Sequence, residues 1–479
     1  MVLSRITSFL ASTIGAEEIA IRLLLSLLAG YPLAFFYRSI LHTQSATVKH
    51  IFFTISGLLV GYFCFGPQIL NLLVNISVIY VIIQLSPGTR LSVFLGFSFN
   101  MLYLLIAYFS ELTDGSVYKI TWTIPHCVLT LRLTGLVFDL YDGHKDEREL
   151  SADQKKTAIK RVPSFLEMTG HSMFFGGCLV GPQFPMRMYL DFVHKFAKEQ
   201  EGPPDSVNAG ISRFLYGMLY VALFQIGVYF IPTNYMLSDD FMELGYLSRC
   251  AYVLIWGKVL ITKYIGTWLL AEGSIIITGL SYNGTDENGN ALWDGCTNVK
   301  LRKLEEASSF RKLIEAFNHN TNSWMSKYIF KRLRFLGNKN LSHCLTLLFL
   351  AVWHGVHSGY YMCFFLEFFM SSTEAQITSI MERVPSIARI VNYPHLQFPV
   401  FIVCKVFTQY SWSYALISFG LLKWNNWVKV HTSLYFNGHI IFLGWPLVYF
   451  LLNKYVIPRK SAVNGIQGTH ISEKETKQS

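Results

Sequence analysis

The 479-residue chain is 52% hydrophobic and only 15% charged, with a mean hydropathy of +0.35, whereas soluble domains carry about 25% charged residues. That balance excludes an ordinary soluble domain and an acidic disordered chain, and points to a polytopic membrane protein. The formal charge of +10 is concentrated in a few loops, and no nucleic-acid partner is expected from it.

In chain order, residues 1–16 carry Arg5 and a small-residue end, as a signal sequence would, but their apolar run is short and broken by Ser and Thr. Candidate spans follow at 18–37, 50–66, 68–85, 91–109, 119–140, 171–184, 211–231, 246–280, 341–370, 396–421 and 433–453. About 20 mostly apolar residues cross a bilayer, and each span must be helical because lipid offers the backbone no partner. The prediction is an all-α integral membrane protein with about eleven transmembrane helices plus re-entrant and interfacial helices. Residues 1–458 form one polytopic domain and 459–479 a flexible cytosolic tail. The segment 246–280 is long enough for more than one element, and 372–395 has the apolar spacing of an interfacial helix. The eight cysteines are scattered without a C-x-x-C pair and read as small core residues. Of the N-x-S/T sites at Asn75, Asn283 and Asn340, only Asn283 suits a glycan, and only if its loop is lumenal.

Charge indicates sidedness. Residues 300–340 contain ten Lys or Arg against three Glu, which places this loop in the cytosol, with 142–161 and the tail on the same side. Lys327, Lys331 and Arg334 recur at helical spacing, with Arg332 among them. They suit either anionic lipid headgroups or a rim for a phosphate-rich ligand.

Ionisable residues inside apolar segments are costly and are candidate site residues by default. They include Glu111, His126, Arg132, Asp139, Glu167, His171, Lys258, Lys263, Glu272, Glu367, Lys405, His431 and His439. Lys258, Lys263 and Glu272 share one segment and are expected to pair internally. In "FLAVWHGVHSGYYMCFF", His354 stands between Trp353 and Gly355, and His357 follows at a spacing that would share its helix face. Imidazole works as a base near neutral pH. Two histidines without nearby carboxylates make a poor metal site, so no metal is expected.

"FNHNTNSWMSKYIFKRLRFLGNK" at 317–339 and "LFLAVWHGVHSGYY" at 348–361 resemble the membrane-bound O-acyltransferase family, in particular its lysophospholipid branch acting on lysophosphatidylcholine. "LLAGYPLAFFYR", "WTIPHCVLTLRLTGLVFDLYDG", "VPSFLEMTGHSMFFGGCLVGPQF", "LIWGKVLITKY", "ITGLSYNG" and "ALWDGCTN" are similar in the same order, so the resemblance spans the chain. It implies a fold built around a central reaction chamber at mid-membrane depth, in the endoplasmic reticulum membrane. Its two site residues carry over as His354 and, in the N-x-N-x-N run, Asn318. Asn320 and Asn322 are expected to cap a helix beginning near Trp324.

The implied reaction is transfer of an acyl group from acyl-CoA to the free sn-2 hydroxyl of lysophosphatidylcholine, with lysophosphatidylethanolamine and lysophosphatidylserine as further acceptors and polyunsaturated chains preferred. No cofactor is implied, since acyl-CoA is a substrate. His354 would be the base and Asn318 the oxyanion donor or carbonyl orienter. Lys327, Lys331, Arg332 and Arg334 would contact CoA phosphates, with Trp353 and His357 lining or supporting the chamber. Other acceptors (sterol, diacylglycerol or protein) and a polytopic transporter are the alternatives. A homodimer is compatible with the resemblance. The tail lacks a dilysine retrieval signal.

Overall fold

The computed structural model describes residues 2–113, 120–198, 205–391 and 393–457; the expected tail lies outside them. The regular secondary structure of the described residues is helical apart from an isolated antiparallel bridge between Thr285 and Ala291. Among the described residues seven helical stretches are long and apolar enough to cross a membrane, or eight if Trp424–Ser433 and Asn437–Tyr455, bent by 80°, count as one. Large side chains such as Leu85, Tyr229 and Leu247 are at least 78% exposed. Such a surface suits lipid and would be an aggregation liability in water.

Four expectations change. Residues 171–184 are not a span: the helix Phe165–Ser172 stops, and Gly176, Gly177, Gly181 and Pro182 follow in a buried, non-helical segment. Irregular backbone away from water needs internal donors. The Arg132 guanidinium supplies them, donating to the carbonyls of His171 at 2.7 Å and of Ser172, Gly177 and Pro182 at 3.2 Å. The segment 246–280 is one 33-residue helix, Tyr246–Thr278. Residues 341–370 split into Lys339–His354 and Ser358–Arg383, and the second helix runs through the start of the expected interfacial element. Finally, Lys258, Lys263 and Glu272 do not form one internal set. Lys258 binds Glu305 at 2.7 Å, while Glu272 turns to the 298–299 backbone.

Helix association in lipid relies on close packing of small residues. Val207–Phe230 lies against Tyr246–Thr278 in this way. A Cβ on Gly266 would sit 3.1 Å from the Gly217 carbonyl oxygen, and one on Gly273 would sit 2.8 Å from that of Gly210. The two helices therefore meet backbone to backbone at a seven-residue repeat. The long helix joins two cores. Its C-terminal half, including Leu270 and Ile275, packs with the N-terminal helices and residues 173–193. Its N-terminal half, including Val253 and Trp256, packs with residues 299–316 and the C-terminal helices. A third cluster joins Leu104, Leu131, Trp324, Leu350 and Trp353. Phe419 packs against both the second and the third cluster.

Candidate active site

His354 is the last residue of the helix Lys339–His354. Gly355 ends the helix with φ 139 and ψ −170, and a Cβ there would lie 3.1 Å from the Tyr360 ring. That backbone region is open essentially to glycine alone. Trp353 fixes the end of the helix, its Nε1 donating to the Cys127 carbonyl at 3.0 Å, while the Tyr108 hydroxyl donates to the Trp353 carbonyl at 2.8 Å. The half-buried His354 ring is walled by Trp353, Tyr360, Phe364 and Phe419, with centroids 4.6–5.6 Å away. It has no hydrogen bond among the described residues.

Asn318 occupies the turn between the helices Phe310–Ala316 and His319–Tyr328. Its φ of 51 and ψ of 38 are left-handed, a conformation Asn tolerates better than most residues. It stands where a capping side chain is usual, yet it makes no cap bond, and its Oδ1 is buried without a partner.

Asn318 and His354 line one cavity of about 150 Å³, well beyond the roughly 10–15 Å³ that admits a single water. Its walls are largely apolar, with Ile261, Leu313, Leu350, Leu416 and Phe419 among them, and an aromatic face of Tyr264, Trp268, Phe317 and Trp412. Glu367 is a further polar group in the wall. A few polar side chains with free hydrogen-bonding capacity, Asn318 and His354 among them, set in an apolar enclosure, form the usual design of a small-molecule site.

Most of the other predicted residues lie elsewhere. His357 does not share a helix face with His354: it is the residue before the helix Ser358–Arg383, its ring 6.4 Å from Tyr360, and it is outside the cavity lining. The chain reverses at Gly355, which the apolar pattern does not reveal. Asn320 and Asn322 are not caps, because the helix begins at His319. Asn320 clamps the Gln183 backbone, accepting from its N at 2.8 Å and donating to its O at 2.7 Å. Asn322 also borders the cavity, but its Nδ2 is taken up by the carbonyls of Ile314 and Phe317.

The basic residues do not share one helix face either, since the α-helix ends at Tyr328 and a 3-10 helix, Phe330–Leu336, carries the rest. Lys327 binds Asp139 at 3.1 Å and also Thr157. Burial draws its ammonium below the ordinary lysine value, although Asp139 opposes this. Lys331 binds Asp153 and holds that carboxyl below the usual range. Arg332 grips the fully buried Asp142 with both terminal nitrogens. Arg334 is exposed and has no carboxylate partner among the described residues.

Sequence reading missed Asn298, whose two oxygens hold the start of the His319 helix. It flagged Glu272 only as a buried charge in need of a partner.

The chain is similar to known proteins over most of its length. The model of MBOAT, the membrane-bound O-acyltransferase family, matches residues 107–433. Lysophospholipid acyltransferase 5 of Mus musculus is 41% identical over 94% of this chain and 92% of its own length. That of Drosophila melanogaster is 40% identical over 93% and 90%, and a lysophospholipid acyltransferase of Schizosaccharomyces pombe is 30% identical over 91% and 87%. With a multi-pass helical fold and a matched region that contains Asn318 and His354, the chain belongs to the membrane-bound O-acyltransferase family.

Proposed function

We propose that the protein transfers a fatty acyl group from acyl-CoA to the free sn-2 hydroxyl of a lysophospholipid, with lysophosphatidylcholine as the main acceptor, in the endoplasmic reticulum membrane. The observation that carries this reading is the shared cavity of His354 and Asn318, in a chain similar to lysophospholipid acyltransferases over more than nine-tenths of its length. Lysophosphatidylethanolamine and lysophosphatidylserine are secondary acceptors, and a polyunsaturated chain is the preferred acyl group.

In the proposed step His354 takes the proton of the attacking hydroxyl. The hydroxyl oxygen bonds to the thioester carbonyl carbon while the Asn318 amide N–H stabilises the developing oxyanion. Collapse breaks the carbon–sulfur bond, and the proton passes from His354 to the departing CoA sulfur. Holding both substrates together makes a covalent acyl-enzyme unnecessary. The apolar wall suits the acyl chain and keeps bulk water from the thioester. Arg334 is the basic residue best placed to meet a CoA phosphate, because Lys327, Lys331 and Arg332 are engaged by carboxylates.

The test is to incubate purified protein with labelled acyl-CoA and a panel of lysophospholipids, sterol and diacylglycerol, and to separate the products. Acylated lysophosphatidylcholine as the dominant product is the expected result, reduced ~10²- to 10⁴-fold by His354→Ala, the scale of general base catalysis. A sterol or neutral-lipid product would overturn the acceptor assignment, and more than a tenth of wild-type turnover in His354→Ala would overturn the base.

A further inference from the structure

The turn that presents Asn318 is tied to a carboxylate on another helix. Glu272, on Tyr246–Thr278 and 1% exposed, accepts at Oε1 from the backbone N–H of Asn298 at 2.6 Å and of Val299 at 3.1 Å. The Arg213 guanidinium on the neighbouring helix approaches Glu272 Oε2 to 3.6 Å. Asn298, 3% exposed, passes this anchor on with both of its oxygens. Its carbonyl accepts from His319 N at 2.8 Å, and its Oδ1 accepts from Asn320 N at 3.2 Å. Two residues further along the same strap, Lys300 N donates to the Ala316 carbonyl at 2.9 Å. Asn318 is thus gripped on both sides, through Ala316 before it and through His319 and Asn320 after it.

The first N–H groups of a helix have no partner within the helix, and the residue preceding it normally supplies one from its own side chain. Here Asn298 takes over that work from another part of the chain. Asn318, which holds the capping position, is released from it and keeps its carboxamide for the cavity.

We propose that Glu272 and Asn298 are positioning residues for acyl transfer: Glu272 fixes the Asn298 strap, and Asn298 caps the His319 helix in place of Asn318, so that the Asn318 carboxamide stays directed at the reacting carbonyl. This rests on the catalytic reading of Asn318 given above. Misplacing a catalytic group by about 1 Å can cost ~10²-fold in rate, so the effect falls on turnover more than on affinity.

The experiment measures kcat, both KM values and the thermal midpoint for Asn298→Ala, Asn298→Ser, Asn298→Asp, Glu272→Gln and Asn318→Ala, with Asn298→Ser and Asn298→Asp also combined with Asn318→Ala. Asn298→Ala should lower kcat ~10- to 100-fold with each KM within about threefold. Asn298→Asp keeps an acceptor for Asn320 N, and Glu272→Gln keeps Oε1 for the 298–299 backbone, so both should retain most of the turnover. Asn298→Ser, whose hydroxyl is too short to reach Asn320 N, should fall between and carries the test if Asn298→Ala does not fold.

In the Asn318→Ala background, Asn298→Ser and Asn298→Asp should have equal kcat, because nothing remains to be positioned. An equal fractional loss on replacing Asn298 with Ser, whether or not Asn318 is present, would overturn the positioning role. So would unchanged kcat in folded Asn298→Ser and Asn298→Ala. Full turnover in Asn318→Ala alone would instead overturn the catalytic reading of Asn318, on which the proposal depends.

Discussion

Asn318 and His354, thirty-six residues apart in the chain, meet across one cavity, and the Asn318 carboxamide oxygen and the His354 ring both lack a hydrogen-bond partner among the described residues. Asn320, two positions from Asn318, has its carboxamide fully engaged by the Gln183 backbone. Three asparagines of one short run thus divide into one free group and two structural ones, and the division makes distinct kinetic predictions.

Asn318→Gly removes the carboxamide while suiting a φ of 51, so the turn itself should hold or gain slightly in stability. Turnover should fall ~10²- to 10³-fold, the cost of one lost oxyanion donor. Asn320→Ala should behave in the opposite way, lowering the thermal midpoint because it leaves Gln183 N and O unpaired, an effect of about 1–3 kcal/mol. Thermal melts and single-turnover rates on both variants check this. A large kcat loss in Asn320→Ala at unchanged stability would move the site asparagine two residues along.

Gly355→Ala should destabilise by about 1–3 kcal/mol, because φ 139 with ψ −170 belongs to a region other residues avoid. The added carbon also meets the Tyr360 ring at 3.1 Å, and that ring stands 5.6 Å from His354. Turnover is therefore expected to drop more steeply than either KM rises. A variant with wild-type melting and rate would show that the reversal at Gly355 is not strained.

The basic segment should separate into structural and ligand-facing positions. Removing Arg332 leaves Asp142, fully buried, with Gln154 and a more distant Lys145. A buried carboxylate stripped of its main partner costs about 3 kcal/mol or more, so Arg332→Met should show a clear loss of thermal stability. Arg334→Glu should leave the melting temperature unchanged and raise the apparent KM for acyl-CoA several-fold, more at low ionic strength than at high. Equal KM for acyl-CoA in wild type and Arg334→Glu would remove Arg334 from the donor site.

His319, next to Asn318 and outside the spans, is held below the ordinary histidine value, first by partial burial and then by the Lys300 charge. A histidine with a depressed folded-state value binds its proton more readily when unfolded, so stability rises with pH across the interval between the two values. The contribution is fully present above about pH 6.5, the ordinary value, and is lost as pH falls from there towards the folded-state value. Melting temperatures between pH 7.5 and pH 5.5 should decline less steeply for His319→Gln than for wild type. Parallel curves would mean that His319 titrates alike in both states.

Much of this molecule is legible in the amino-acid sequence. Low charge and long apolar runs determine a helical membrane protein, because hydrocarbon leaves the backbone no other way to satisfy its hydrogen bonds. The run around Trp353, His354 and Gly355 marks a polar group that such a setting tolerates only for a purpose. Tertiary structure alone decided that residues 173–185 form a buried loop, since the donor that permits it, Arg132, comes from a helix some 40 to 50 residues away. It also decided that Lys327, Lys331 and Arg332 face Asp139, Asp153 and Asp142, 178 to 190 residues distant, and that Asn298 frees Asn318. Hydrophobic periodicity registers neighbours within a few residues along one element. Which polar atom is satisfied, and which is left to act, depends on partners that only the folded chain brings within hydrogen-bonding distance.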